Sequence, residues 1–354
     1  MPVHLPRLRR RRHLLCAVAL VAAGNGFACS VEQAPAERAA SCARTLARTI
    51  NFGNMLEHAR EGLAGPMLRD EFVVLSKHAG FTAIRLPVRW DARAGYQPPY
   101  TISAEFLARV DGVVKLASAH GLSVILDMHH YASMMMEPQA EQARFVALWR
   151  QVAEHYRDAP PTVMFEVLNE PNRALTQSLW NQALAEVIPA IRASNPRRTL
   201  IIGGSEWNSR HSLATLALPK DDRDIIATFH YYDPMPFTHQ GAEWVSGAGG
   251  WLGTRWTAAQ RSQVRDDFAA VKRWAETQGR PVFLGEFGAY SRADETSRVA
   301  WTTAVREEAE AHGFGWAYWE LASSFGVLDP HALSWREPLL QSLLPTSPVL
   351  KSKR

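Results

Sequence analysis

The sequence predicts an α/β fold in a single domain, a (β/α)8 TIM barrel. Three observations carry this: eight short apolar runs, helical patterns between them, and no glycine-rich nucleotide turn after the first run. The runs are 49–54 (TINFGN), 81–86 (FTAIRL), 122–128 (LSVILDM), 162–168 (TVMFEVL), 199–203 (TLIIG), 225–231 (IIATFHY), 281–287 (PVFLGEF) and 314–319 (FGWAYW). Runs that are short and apolar on both faces fit a parallel sheet covered by helices. Eight such units over about 300 residues fit a closed barrel. A doubly wound sheet usually has fewer strands and a glycine-rich turn after the first. Here the first run ends in NFGNMLE.

The helical segments follow in order. After the first strand, PMLRDEFVVLSKHA places apolar residues at 67, 68, 72, 75 and 79, one face of a helix. After the second, SAEFLARVDGVVKLASAHG opens on a capping serine and closes on glycine. Further helices are expected near 139–156, 176–194, 259–277 and 295–311, and a last one near 336–343. The barrel is placed at 46–345, with a C-terminal tail at 346–354. Residues 29–45 are rich in alanine, serine and charge and read as an N-terminal tether. No linker or second domain is visible.

Residues 1–28 pair a basic stretch (Arg7, Arg9, Arg10, Arg11, Arg12) with a short apolar run from Leu14 to Ala23 and then small residues. That is the pattern of an export signal peptide, too short to serve comfortably as a bilayer anchor. A secreted or periplasmic location is expected. Cleavage after Ala28 would leave Cys29 first. Cys29 is then open to lipidation, which would make an outer-surface lipoprotein, or to pairing with Cys42, and the sequence leaves both open. No other run is long enough for a membrane span. The whole chain has 39 basic and 35 acidic residues. Without the five signal arginines, 39 − 5 leaves 34 against 35, so the basic footprint of a nucleic-acid partner is missing. No cysteine lies in the barrel, which excludes a thiol nucleophile and a zinc–cysteine cluster there. Twelve tryptophans suit a sugar cleft as well as a core, because ring faces meet the apolar faces of pyranoses.

In such a barrel function sits at the C-terminal strand ends. Those ends carry Asn51, Arg85, His129 and His130, Asn169 and Glu170, His230 and Tyr232, Glu286, and Trp319. Any one could be structural; their coincidence at one end of the barrel is the signal. Strands four and seven place Glu170 and Glu286 across the mouth from each other. Retaining glycoside hydrolysis needs such a pair ~5 Å apart, one carboxyl attacking and one protonating the leaving oxygen. Arg85 and Tyr232 beside Glu286 would keep it charged, and a less polar setting would raise Glu170 into the acid role. Glu166 lies four residues before Glu170 on the same side of its strand, and Asp127 shares parity with His129. Both are expected inside the barrel as paired, structural acids.

The segments GFTAIRLPV (80–88), GLSVILDMHHY (121–131), VMFEVLNEP (163–171), ATFHYYDP (227–234), PVFLGEFGAY (281–290) and WAYWE (316–320) together resemble glycoside hydrolase family 5, in order, across 49–345. INFGNMLE is similar to the family's NLGN-x-L-E opening, with Phe52 where leucine is usual. The resemblance implies Glu170 as acid/base and Glu286 as nucleophile. It implies Arg85, His129, Asn169, His230, Tyr232 and Trp319 as the rest of the site around the cleaved bond.

No cofactor and no metal are expected. His129 and His130 are adjacent, so on a strand they would point to opposite sides and could not easily share an ion. No H-E-x-x-H or His-x-His pair occurs. His130 reads as structural or on the rim. The segment 233–258 holds Trp244, Trp251 and Trp256. Long connections without structure of their own are usually functional, so at least one of these is expected to stack on a sugar beyond the cleaved bond. The expectation is a monomeric, retaining endoglucanase acting on β-1,4-glucan. The alternatives are β-mannan, β-1,3-glucan or xyloglucan as the polymer, or a barrel that binds glycan without cutting it.

Overall fold

The computed structural model describes Met1 and residues 29–345. Residues 2–28 of the proposed signal segment and the tail at 346–354 lie outside these residues. Eight parallel strands close a barrel in chain order, each paired with its sequence neighbours and the eighth with the first. They are β1 (Arg48–Asn51), β2 (Ala83–Val88), β3 (Ser123–Met128), β4 (Val163–Glu166), β5 (Leu200–Gly203), β6 (Ile225–His230), β7 (Val282–Phe287) and β8 (Gly315–Tyr318). Helices Asp70–Ala79, Ala104–Ala119, Pro138–His155, Gln177–Arg192, Arg261–Gln278, Glu295–Ala311 and Glu337–Leu343 occupy the places their periodicity predicts. Their ends carry ordinary start and stop signals: Ser103 accepts the Phe106 N–H at one N-terminus, and Gly80 closes the first of these helices in the left-handed conformation.

Side chains alternate along each strand, so one parity fills the barrel. At its N-terminal end Ala83, Ile125, Met164, Ile201, Ile226, Phe283 and Ala317 form one apolar layer. The next inward residues on β2, β3 and β4 are Arg85, Asp127 and Glu166, all fully buried. The outward parity packs against the helices in a second, larger core.

The expected tether is instead part of the fold. Residues Pro35–Thr45 form a helix whose Ala39 and Cys42, with Leu46, pack on the apolar layer that floors the barrel. Arg38 makes a bidentate pair with Asp224, at 2.8 Å on both arms, just before β6. Cys29 is disulfide-bonded to Cys42. The alanine-rich composition that read as a linker is what a helix needs to lie close against a flat apolar floor. The segment 233–258 is likewise structured, with a helical turn at Met235–Thr238 and a 3₁₀ turn at Ala248–Trp251. A small two-stranded sheet, Leu328–Asp329 with Ser334–Trp335, was not foreseen.

Candidate active site

The MFEVLNEPN stretch ends as it does because β4 stops at Glu166 and the chain then turns outward. Glu170 sits at φ 50°, a left-handed conformation that is strained for a side chain this size and that surrounding structure must hold. The turn lifts the Glu170 carboxyl to the mouth, where its Oε1 lies 2.8 Å from His230 Nδ1.

Glu286 reaches the same place by a different device. Phe229 pairs with Leu284 but His230 pairs with Glu286, so Gly285 is an extra residue in β7. Such a bulge re-aims the next side chain. A Cβ on Gly285 would lie 2.7 Å from Thr228 Oγ1 and 2.9 Å from His230 Nε2, and one on Gly288 would strike the Trp319 carbonyl. The glycines therefore make room for His230 and Trp319, rather than for the approach of a sugar.

Arg85 ties the site together. It donates to both Glu166 oxygens at 2.6 and 2.9 Å, to Glu286 Oε1 at 2.8 Å, to Asn51 Oδ1 at 2.9 Å and to Asn169 Oδ1 at 2.8 Å. Asp127 lies 3.1 Å from the same guanidinium. Glu166 and Asp127 are thus inside the barrel and paired, as their parity requires. Asn51 is held in turn by donating to the Gly285 and Tyr318 carbonyls. Tyr232 donates to Glu286 Oε2 at 2.7 Å. Oxygens of Glu170 and Glu286 and a nitrogen of His230 lie within 4.8 Å of one another. Trp319 is half-buried and stacks flat on His129, with ring centroids 5.5 Å apart and planes 1° apart. All nine residues singled out from the sequence, Asn51, Arg85, His129, Asn169, Glu170, His230, Tyr232, Glu286 and Trp319, are brought into this one network.

Electrostatics follow from one buried cation facing several buried acids. Burial pushes Asp127 up to about 7 against the pull of Arg85. Burial also pushes Glu286 up to about 7, outweighing His230, Arg85 and the Tyr232 hydrogen bond, with the Glu170 charge adding to the rise. Glu170 is raised to about 8, again chiefly by burial. Its side chain keeps 23% exposure, so water holds this rise in check. The expectation that Arg85 and Tyr232 would dominate at Glu286 is therefore corrected: they restrain a burial effect instead of overcoming it. Both carboxyls are thus raised above their ordinary range, chiefly by burial. Burial lowers His230 to about 4, leaving it neutral. Asn208 Nδ2 donates to its Nε2 at 3.4 Å, which turns the Nδ1 proton toward Glu170.

Several residues were missed. Asn208 comes from a turn in which Glu206, Trp207 and Asn208 all have positive φ, and nothing in the string signals that. Glu57 is fully buried and accepts the Asn54 N–H at 2.6 Å; the NFGNMLE segment pointed there but its acid was not singled out. Glu320 accepts the Ala322, Ser323 and Phe325 N–H groups and shapes the loop after β8. Of the three loop tryptophans, Trp256 is buried, Trp251 is half-buried, and Trp244 is 59% exposed beside Tyr290 and Phe325. Only Trp244 offers a largely open face. His129 and His130 do not diverge as expected. β3 ends at Met128, alternation ends with it, and the two rings lie 4.7 Å apart.

A parallel eight-stranded barrel with two carboxyls this close at its C-terminal mouth is the arrangement that retaining glycosyl hydrolases use. The family model described as Cellulase (glycosyl hydrolase family 5) matches residues 50–324. Endoglucanase H of Acetivibrio thermocellus is 35% identical over 286 residues, 81% of this chain and 30% of that protein. Endoglucanase 3 of Fibrobacter succinogenes is 27% identical, covering 80% of this chain and 50% of its own. This chain thus spans 30% to 50% of the length of these curated relatives. The structure of Thermotoga maritima Cel5A in complex with mannotriose superposes with a TM-score of 0.85 at 42% identity, covering 86% of this chain and 99% of that one. The cellulose synthase subunit Z of Clostridioides difficile gives 0.81 at 36% identity, covering 84% and 99%. The chain belongs to the cellulase family, glycosyl hydrolase family 5.

Proposed function

We propose that this chain is a retaining endo-β-1,4-glucanase working by double displacement. The observation that carries the reading is the pair Glu170 and Glu286, with oxygens within 4.8 Å across His230. Carboxyls this close leave no room for both a sugar's anomeric centre and an attacking water between them, which supports direct attack by one of them. Glu286 is that nucleophile, oriented by Arg85 and Tyr232. Glu170 protonates the leaving oxygen, then, as a carboxylate, takes a proton from the water that hydrolyses the glycosyl ester. Asn169 is placed beside Glu170 to meet the sugar 2-hydroxyl, and Trp319 walls the reacting sugar.

The polymer is read from relatives named endoglucanases and from a Thermotoga maritima structure described with cellobiose. A second reading, β-mannan, is favoured by the same protein's structure with mannotriose. Assaying reducing ends released from soluble β-1,4-glucan, β-mannan, β-1,3-glucan and xyloglucan tests both. β-1,4-Glucan should give the highest kcat/KM and a rapid fall in viscosity. Binding with no reducing sugar from any polymer would leave a glycan-binding barrel.

Residues 1–28 are read as an export signal and the chain as a secreted or periplasmic monomer. The Cys29–Cys42 disulfide supports export, since such bonds persist in oxidising compartments. It also favours pairing over lipidation at Cys29, because a lipid thioether would need the same sulfur. Among the described residues no helix is long and apolar enough to cross a membrane.

A further inference from the structure

Beside the reacting carboxyls lies a second cluster of metal-capable side chains, of which the glycosidase reading uses His129 and assigns no role to Glu57 or His130. One carboxylate oxygen of Glu57 and one nitrogen each of His129 and His130 lie within 4.8 Å of one another. Glu57 is fully buried, its Oε1 accepts the Asn54 N–H, and its Oε2 has no hydrogen-bond partner. A buried, unpartnered carboxylate oxygen is costly unless something positive meets it. The His129 Nδ1 lies 2.5 Å from Asp127 Oδ2. That contact leaves Nε2 as the free nitrogen, the carboxylate–imidazole arrangement that orients histidine ligands of metals. His130 is exposed, giving a cation a path in from the cleft. Arg89, a nearby cation, is turned to Asp91 at 3.4 Å.

We propose that Glu57, His129 and His130 bind one divalent transition-metal cation of the zinc type. Two imidazoles and a carboxylate are a borderline donor set that suits zinc better than magnesium or calcium. Tetrahedral bonds near 2.05 Å set donors about 3.4 Å apart, and the exposed His130 ring supplies the small inward swing. A fourth position is left to water. His129 stacks on the Trp319 wall, so an ion here occupies space that a sugar needs. The site is therefore inhibitory, and this consequence alone rests on the glycosidase reading.

Titration calorimetry of tag-free, chelator-stripped full chain with zinc tests the binding. We expect one ion per chain with a Kd in the micromolar range or tighter. Affinity should fall at least tenfold in His130→Ala and in Glu57→Gln, and stay unchanged in His155→Ala, a histidine paired with Asp111 on the outer helices. Cobalt should give a visible absorption band that both first variants lose. If Glu57→Gln does not fold, as judged by circular dichroism, His130→Ala decides alone. No stoichiometric binding, or undiminished affinity in His130→Ala, overturns the site. Zinc should inhibit cleavage competitively and reversibly by chelator; binding without competition overturns its placement in the cleft. An absence of cleavage on every glycan would sink the glucanase reading while the calorimetric result stands.

Discussion

Arg85 shows how much of this site rests on single residues. Its guanidinium faces Glu166, Asp127 and Glu286 at once. Burial pulls its pKa down, but those three acids outweigh burial and hold it well above its usual value, so it is always charged. Burial is the chief reason Glu286 and Glu170 titrate high; the acids that one cation cannot neutralise add to the rise, and the two carboxyls titrate as a coupled pair. The sign of each limb follows. In the proposed mechanism Glu286 must be ionised to attack, so kcat/KM should fall as pH drops through about 7. The same mechanism needs Glu170 protonated to assist departure, so kcat/KM should fall again as pH rises through about 8. In Glu170→Ala, aryl glycosides with good leaving groups should keep their first step and lose the alkaline limb, because they need no proton. Added azide should then give a β-glycosyl azide. Equal losses on good and poor leaving groups would point to Glu166 as the acid.

Glu286→Gln is nearly isosteric and should lower turnover by several orders of magnitude while oligosaccharide binding survives. A 2-deoxy-2-fluoro glycoside, which slows the second step more than the first, should label Glu286 in peptide mapping. A label on Glu170 would reverse the roles.

At the scale of elements, the N-terminal helix makes the clearest claim. Arg38 and Asp224 are both buried, so Arg38→Ala leaves an unpaired buried charge and should cost about 3–5 kcal/mol. The Cys29–Cys42 bond closes a loop of sequence separation 13, worth roughly 3 kcal/mol. Cys42→Ser should therefore lower Tm by roughly 5–10 °C. An unchanged melting curve for either variant would return this segment to the status of a tether. The bulge at Gly285 makes a second claim of the same kind: the aim of Glu286 depends on one extra residue in β7, matched by a shift between Leu284 and Phe287 in the β7–β8 register.

The whole molecule bears on stereochemistry. Glu170 and Glu286 come from strands that are not neighbours in the sheet, and only barrel closure sets their spacing. That spacing predicts net retention, so NMR of the first product should show the β anomer. An initial α anomer would mean an inverting enzyme and a different role for one carboxyl. The strand rhythm was legible in the linear chain because a parallel barrel strand must be apolar on both faces and short, whatever it will do. The site residues were legible because chemistry-bearing side chains cluster at one end of those strands. What the string could not carry depends on backbone paths and burial. Alternation continued past Met128 misplaced His130, since no pleat governs a residue after the ladder ends. Asn208 entered through three consecutive left-handed residues, and an alanine-rich run became the barrel's floor. Burial, a property of the closed barrel, set the pKa values of both carboxyls above what their hydrogen-bond partners alone would allow.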